Sequence, residues 1–258
     1  DIQIALNNLK QNGIIQLESH GQNGTIATDI DYLAMAQYCS NTNLTCVMPM
    51  PYGLRYEGLA SGLYEELNQK SVTGAIAFMR GSGYRLACVE EGRFHLCVMS
   101  HLAFEYYEQQ GKDIQMVAAF GARSYVEQHR IFVRPDFDGN WQGCKVGLDT
   151  SSVDQERLTR FCFADKPVQY VPIIYSQLVP FLHNGMIDAG VWSADMLPEG
   201  LSYYPMPCLD EQEKDTVAVL VCRKSDNVTA QLVRKVLSVQ NVTDIQRRVM
   251  NREIIPRY

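Results

Sequence analysis

The side chains best placed to do chemistry in this sequence are those that can hold an anion. Arg80-Gly81-Ser82-Gly83 sets a guanidinium beside glycines, between an apolar run at 74–79 and a helical pattern at 84–91. An arginine fork in such a loop can clamp a carboxylate or a phosphate through two parallel hydrogen bonds. Thr150, Ser151 and Ser152 precede a second helical stretch, 153–161. Hydroxyls and free N–H groups at a helix start favour the same kind of ligand. Tyr52 and Arg55 follow an apolar run at 44–50, and Ser100 follows another at 95–99. Tyr125 (with Glu127 close by), Tyr175 and Trp192 can supply walls and orienting groups of a small-molecule site. Plainer roles stay open for each: Ser and Thr before helices serve as ordinary N-caps, Arg55 can pair with Glu57, and Trp192 can be core.

Recognised catalytic signatures are absent. The sequence has no G-x-S-x-G elbow, no phosphate-binding loop and no H-E-x-x-H. The five histidines are scattered, and His129 reads as a core or hinge residue rather than a general base. The eight cysteines include no C-x-x-C pair, and most lie in apolar runs, which suits buried thiols in a reducing compartment. No Cys/His group has the spacing of zinc ligands. The chain is therefore expected to be no enzyme and to carry no metal and no cofactor.

The 258 residues, 46% hydrophobic, suffice for one bilobed domain or two ordinary ones. A net charge of −6 is a poor balance for a surface devoted to nucleic-acid phosphates. The charge is uneven, however: residues 223–258 hold eight basic side chains against three acidic ones. That stretch reads as a solvated helical face or as one that meets DNA or a second subunit. No apolar run reaches the length of a membrane span, and no signal peptide is visible, so a cytoplasmic protein without membrane contact is expected. The first residues, Asp-Ile-Gln-Ile, read as the interior of a helix, so an N-terminal portion of the module is expected outside this numbering.

The elements that must position these side chains follow from periodicity. Ile2, Ala5, Leu6 and Leu9 have helical spacing and end at Gly13. Two short strands about the turn 20–24 make a hairpin. A short amphipathic helix at 30–38, with Asp29 as its cap, is expected to couple two modules and to offer a dimer contact. From residue 44 strands and helices alternate, with strands expected at 44–50, 74–79, 95–99, 114–120, 124–133, 145–148, 168–172, 187–192, 201–206 and 216–222. Helices are expected between them and at 229–239 and 242–251. Parallel strands need helical crossovers, and this order supplies them twice over. The loops at the strand ends should then converge on a cleft between two halves.

Residues 5–26, with Ala5-Leu6, Leu9, Gly13-Ile14-Ile15 and then Gly21 and Gly24-Thr25-Ile26, resemble the end of a GntR-type winged helix-turn-helix, where a recognition helix runs into a two-stranded wing. Met48-Pro49-Met50-Pro51-Tyr52, followed by Arg55-Tyr56-Glu57-Gly58-Leu59-Ala60-Ser61-Gly62-Leu63, is similar to the YhfZ family of GntR-like regulators. Met79-Arg80-Gly81, Ser124-Tyr125-Val126-Glu127 with His129, Val146-Gly147-Leu148-Asp149, and Asp188-Ala189 through Trp192 extend the likeness along the chain. The resemblance implies an α/β fold: a bilobed type 2 periplasmic-binding-protein-like domain preceded by the remnant of a winged helix-turn-helix. Its expected parts are the wing and recognition-helix end at 1–28, a linker helix at 29–43 and an effector-binding domain at 44–258. In that domain one lobe covers about 44–121 and 215–258, and the other about 134–212.

The implied function is a bacterial transcriptional regulator. A small, anionic effector, a carboxylate or phosphate compound, would bind in the interlobe cleft through Tyr52, Arg55, Arg80, Gly81, Ser82, Ser100, Tyr125, Thr150, Ser151, Ser152, Tyr175 and Trp192. Lys10, His20, Gln22 and Asn23 would touch operator DNA, and the protein would be a homodimer. A transport-type solute-binding protein and a small-molecule enzyme on the same fold are the competing readings.

Overall fold

The computed structural model describes residues 2–39, 42–69, 72–195, 197–207 and 212–258. The chain opens with α1 (Ile2–Gln11). Gly13, at φ 69°, stops this helix, with Gly13 N donating to Lys10 O and Ile14 N to Leu9 O, a glycine cap that satisfies the last carbonyls. An antiparallel hairpin follows, β1 (Ile15–Ser19) and β2 (Thr25–Ile30), closed by the turn Gly21–Asn23. α2 (Tyr32–Tyr38) comes next. Its cap is Asp31 rather than the expected Asp29, because β2 holds the chain extended to Ile30. Asp31 Oδ1 accepts from the N–H groups of Leu33 and Ala34, each at 3.1 Å.

The first lobe begins with β3 (Asn43–Met48), α3 (Leu54–Leu67), β4 (Thr73–Phe78), α4 (Ser82–Glu90), β5 (Leu96–Ser100), α5 (His101–Gln109) and β6 (Ile114–Ala119). The chain then crosses to the second lobe: β7 (His129–Val133), β8 (Lys145–Leu148), α6 (Val153–Cys162), β9 (Gln169–Pro172), α7 (Leu178–His183), β10 (Ala189–Ser193) and β11 (Ser202–Pro205). It returns through α8 (Gln212–Thr216), a short helix that periodicity did not announce, and ends with β12 (Ala218–Arg223), α9 (Asn227–Val236) and α10 (Val239–Met250). The first sheet has the order β4-β3-β5-β12-β6 and the second β11-β7-β10-β8-β9. β3 runs parallel to β4 and β5, whereas β12 inserts antiparallel between β5 and β6. In the second sheet β10, β8 and β9 are mutually parallel and β7 and β11 antiparallel.

Every residue of β5, and all of β12 but Arg223, is buried, as strands covered on both faces must be. One face of the first sheet packs under α3, α9 and α10 through Leu59, Leu63, Val233 and Val242. The other packs under α4 and α5 through Leu86, Val89 and Phe104. The second sheet lies between α6, with Leu158 and Phe163 beside it, and α7, with Leu178 and Leu182. α3 and α10 approach with almost no side chain between them. A Cβ on Gly58 would stand 2.8 Å from Gln246 O, and one on Gly62 would stand 2.7 Å from Val242 O.

Residues 124–128, expected to begin a strand, form no strand; they carry the first crossing. Tyr125 N donates to Thr216 O at 2.7 Å and Ala218 N to Ser124 Oγ at 2.8 Å, so the two crossings are bonded side by side. Gln246 of α10 donates through Nε2 to both Ser124 O (2.8 Å) and Arg55 O (2.9 Å), which fastens the first crossing to the start of α3. Leu33 of α2 packs against the first lobe's own core. Among the described residues no helix is long and apolar enough to cross a membrane, and the seven described cysteines form no disulfide.

Substituting Gly62→Ala forces a methyl group into the Val242 carbonyl. We expect a loss of about 1–3 kcal/mol in urea unfolding; unchanged stability would mean that α3 and α10 can part at no cost.

Candidate functional site

The strand ends of both sheets face one another across a cavity of about 70 Å³. That is smaller than the roughly 150 Å³ void that admits benzene, so the lobes stand nearly closed. Its walls come from the first lobe (Pro49, Met50, Tyr52, Tyr56, Arg80, Gly81, Ser82, Arg85), the crossing (Tyr125, Val126, His129) and the second lobe (Asp149, Ser152, Asp154, Gln155, Ile174, Tyr175). Two helices begin at this cavity, α4 at Ser82 and α6 after Ser152. Ser152 makes no side-chain cap hydrogen bond, and the cap of α4 is Gly81, which has no side chain to offer. The early N–H groups of α4 are thus not taken up by a capping side chain.

Arg85 dominates the floor. Its side chain is buried at 3% exposure, and it donates to Val98 O (3.0 Å), Met79 O (2.9 Å) and the Tyr125 hydroxyl (3.3 Å). All three acceptors are neutral, and a guanidinium has five donors. Burial holds the Tyr125 hydroxyl protonated, its pKa pushed up to about 12. Across the cavity Asp154, 5% exposed, accepts a hydrogen bond from Ser100 Oγ at 2.6 Å. This bond ties the end of β5 to α6, hence one lobe to the other. Burial raises the Asp154 pKa from 3.8 to about 6, and the bond from Ser100 opposes that only in part. At the hinge His129 Nδ1 is hydrogen-bonded to Asp215 of α8. Burial works against the charged imidazole, but the Asp215 carboxylate outweighs it and the pKa ends above 6.5.

Arg55 closes the site from behind. From the first turn of α3 it pairs with Glu127 of the crossing and with Asp195 of the second lobe, and it also donates to Arg123 O. Arg123 has φ 61°, a left-handed conformation uncommon outside glycine. Lys214 of α8 adds a bond to Glu105 of α5 at 2.8 Å.

The expected residues divide. Tyr52, Arg80, Gly81, Ser82, Tyr125, Ser152 and Tyr175 line the cavity. Arg80 is exposed at its mouth and donates to the Tyr52 hydroxyl at 3.0 Å. Gly81 is needed twice over, for φ 72° and because a Cβ there would stand 2.8 Å from Ser151 O of the other lobe. Ser151 itself binds Asp149 Oδ1 through N and Oγ, and Thr150 is exposed. Ser100 caps α5, accepting from Ala103 N, and reaches Asp154 instead of the cavity. Arg55 neither lines the cavity nor pairs with Glu57. Trp192 stacks behind Tyr175, ring centroids 3.8 Å apart, and packs with the second core. Sequence reasoning did not single out Arg85, Asp149 and Asp154: an arginine or aspartate on an amphipathic helix, or just after a strand, looks like an ordinary solvated residue until the fold buries it. At the other end of the molecule Lys10, His20, Gln22 and Asn23 are all exposed on α1 and the hairpin turn. Among the described residues no group of three or more His, Cys, Asp or Glu side chains is gathered as metal ligands would be.

Two α/β lobes, two crossings and a cavity lined from both sides define a protein with the fold of periplasmic substrate-binding proteins. The chain superposes on the periplasmic aliphatic sulphonate binding protein SsuA from Escherichia coli with a TM-score of 0.61 at 12% identity, covering 82% of this chain and 75% of that one. The substrate binding protein of a methionine transporter from Streptococcus pneumoniae gives 0.58 at 13%, covering 82% and 92%; at these identities the likeness is one of fold. Residues 31–258 match the family model of the YhfZ C-terminal domain, and this chain belongs to the YhfZ family. It is 31% identical over 260 residues to YhfZ of Escherichia coli (strain K12), across 99% of this chain and 85% of that protein. The crystal structure of YhfZ from Shigella flexneri superposes with a TM-score of 0.75 at 31% identity, over 88% of this chain and 98% of that one.

Removing the Arg55 cation leaves Asp195 and Glu127 without their common partner. Arg55→Met should lower stability by about 3 kcal/mol in urea unfolding and raise the radius of gyration in solution scattering as the lobes part; an unchanged scattering profile would show that Arg55 does not hold them. Between pH 3.8 and about 6 the native Asp154 keeps a proton that the unfolded chain has lost, so its contribution to stability falls as pH rises through that window. Asp154→Asn should therefore gain on the parent by on the order of 1–3 kcal/mol between pH 4 and pH 7. Parallel stability profiles would contradict that burial effect.

Proposed function

We propose that this protein is a cytoplasmic transcriptional regulator whose two lobes close on a small anionic effector and whose N-terminal helix and hairpin act on operator DNA, as a homodimer. The observation that carries the effector reading is Arg85, a buried guanidinium with spare donors at the cavity floor and only neutral partners. Burying a cation is costly unless an opposite charge meets it, and an effector carboxylate, sulphonate or phosphate would do so. The early N–H groups of α4 supply further donors at the same place.

The DNA reading rests on the resemblance of α1 and the hairpin to the end of a GntR-type winged helix. A path of contacts from the first lobe to the hairpin accompanies it. Asp31 N, at the cap of α2, donates to Ile14 O at the base of the hairpin at 2.9 Å, and α2 rests on α9 of the first lobe, with Ala36 and Leu33 against the core. An effector shifts DNA affinity only if it binds one lobe arrangement better than another. The same cleft in a transport receptor would bind its ligand with no consequence for DNA, and the likeness to SsuA makes sulphonates part of the search.

A thermal-shift screen of small carboxylates, sulphonates and phosphates comes first. An effector at about one hundred times its Kd stabilises by roughly 2.7 kcal/mol, and Arg85→Lys should abolish the rise for the compound found. The full-length natural protein should then bind DNA in a salt-dependent manner, more weakly with Lys10→Ala, and with an affinity that this compound changes. Ligand binding without any DNA binding would favour the transport reading, whereas a melt unmoved by the whole panel would sink the effector reading.

A further inference from the structure

The cavity wall is electrically divided in a way that says more about its ligand than anionic character. The first lobe contributes Arg85, which donates to two carbonyls and a tyrosine hydroxyl. The second contributes Asp154, whose carboxylate accepts from the neutral Ser100 hydroxyl. Both are nearly inaccessible, both line the same cavity, and among the described residues neither forms an ion pair. The other charged groups near Asp154 are His129 from the start of β7 and Asp215 from α8, and they are bound to each other. With all four ionised, two cations and two carboxylates balance, and the two further charged residues of the lining, Arg80 at the mouth and Asp149, are one of each sign.

A lone anion entering this balanced cluster would leave one buried negative charge in excess, which is unfavourable in a poorly polarisable interior. A ligand with an acid group at one end and a protonated amine at the other leaves the balance unchanged and gives each unpaired group an opposite charge. We infer that the cavity takes a small zwitterion, with its acid group on Arg85 and the first N–H groups of α4 and its ammonium group on Asp154. This rests on reading the cleft as an effector site, and it refines the class of effector. The ammonium group would replace the Ser100 hydroxyl as the main partner of Asp154 or share the carboxylate with it, since a carboxylate offers about four acceptor positions. The small cavity sets the scale at a few heavy atoms between the two charges. The raised pKa of Asp154 is consistent with a carboxylate that lacks a cation in the unliganded protein.

Matched pairs that differ only in the amine test this at pH 7.5 by titration calorimetry: β-alanine against propionate, 2-aminoethanesulphonate against ethanesulphonate, and 2-aminoethylphosphonate against ethylphosphonate. In at least one pair the amino compound should bind more tightly by about tenfold or more. Asp154→Asn, which keeps the size of the side chain and an acceptor for Ser100, should erase that preference, because it removes the partner of the ammonium group and one buried negative charge that opposes the amine-free acid. If that variant fails to fold, the comparison within each pair on the parent protein still decides. Amine-free acids that bind as well as their amino partners, with uptake of a proton measured in buffers of different ionisation enthalpy, would overturn the zwitterion and leave the anion-effector reading standing. If no member of any pair binds, both readings fall together.

Discussion

The guanidinium of Arg55 stands where three stretches of chain must agree. It projects from the first turn of α3 in one lobe, meets Glu127 on the way across, and pairs with Asp195 at the end of β10 in the other lobe. The carbonyl of Arg55 is itself held by Gln246 of α10, which also holds Ser124 of the crossing. That helix can reach so far only because Gly58 and Gly62 let its backbone lie directly on α3. Interlobe geometry therefore depends on a chain of contacts in which a buried charge is satisfied from several directions at once. Such a group tolerates few alternative arrangements, because leaving it buried with a partner withdrawn is costly.

The cavity in front of this junction follows a different logic. Around Arg55 the charges are matched by the protein; around Arg85 and Asp154 they are balanced in sum but not in contact. The first arrangement ties the two lobes together, and the second would give the proposed ligand its partners. Their separation also explains the placement of Arg80 and Tyr52. They are exposed and bonded to each other at the mouth, where the proposed ligand would pass them before it reached the buried Arg85.

The hinge adds a second set of titrating groups. His129 and Asp215 sit on the two crossings, so their bond pins one strand of the hinge to the other, and the main-chain bond from Tyr125 to Thr216 runs beside it. Any change in the cavity that shifts His129 is felt at both crossings together. The N-terminal hairpin is joined to α2 at the Asp31 cap, which makes that short helix a route by which lobe movement would reach it.

Much of the architecture was legible in the residues themselves. The apolar runs at β3, β5 and β12, the glycine after α1 and the alternation of strand and helix follow from local physics: burial on two faces of a strand, a left-handed stop, and the need for crossovers between parallel strands. Loop residues at the expected strand ends, such as Tyr52, Gly81 and Ser152, were also readable, because that is where open α/β sheets gather ligands. What only the tertiary structure decided is which charges are buried and which residues face the cavity. Arg85 and Asp154 lie on helices whose sequence pattern makes them look solvated, and Ser100 and Trp192 look like wall residues but are turned to a partner and to the core. Periodicity reports the face of an element, whereas burial of a polar group depends on what another lobe, distant in sequence, lays against that face.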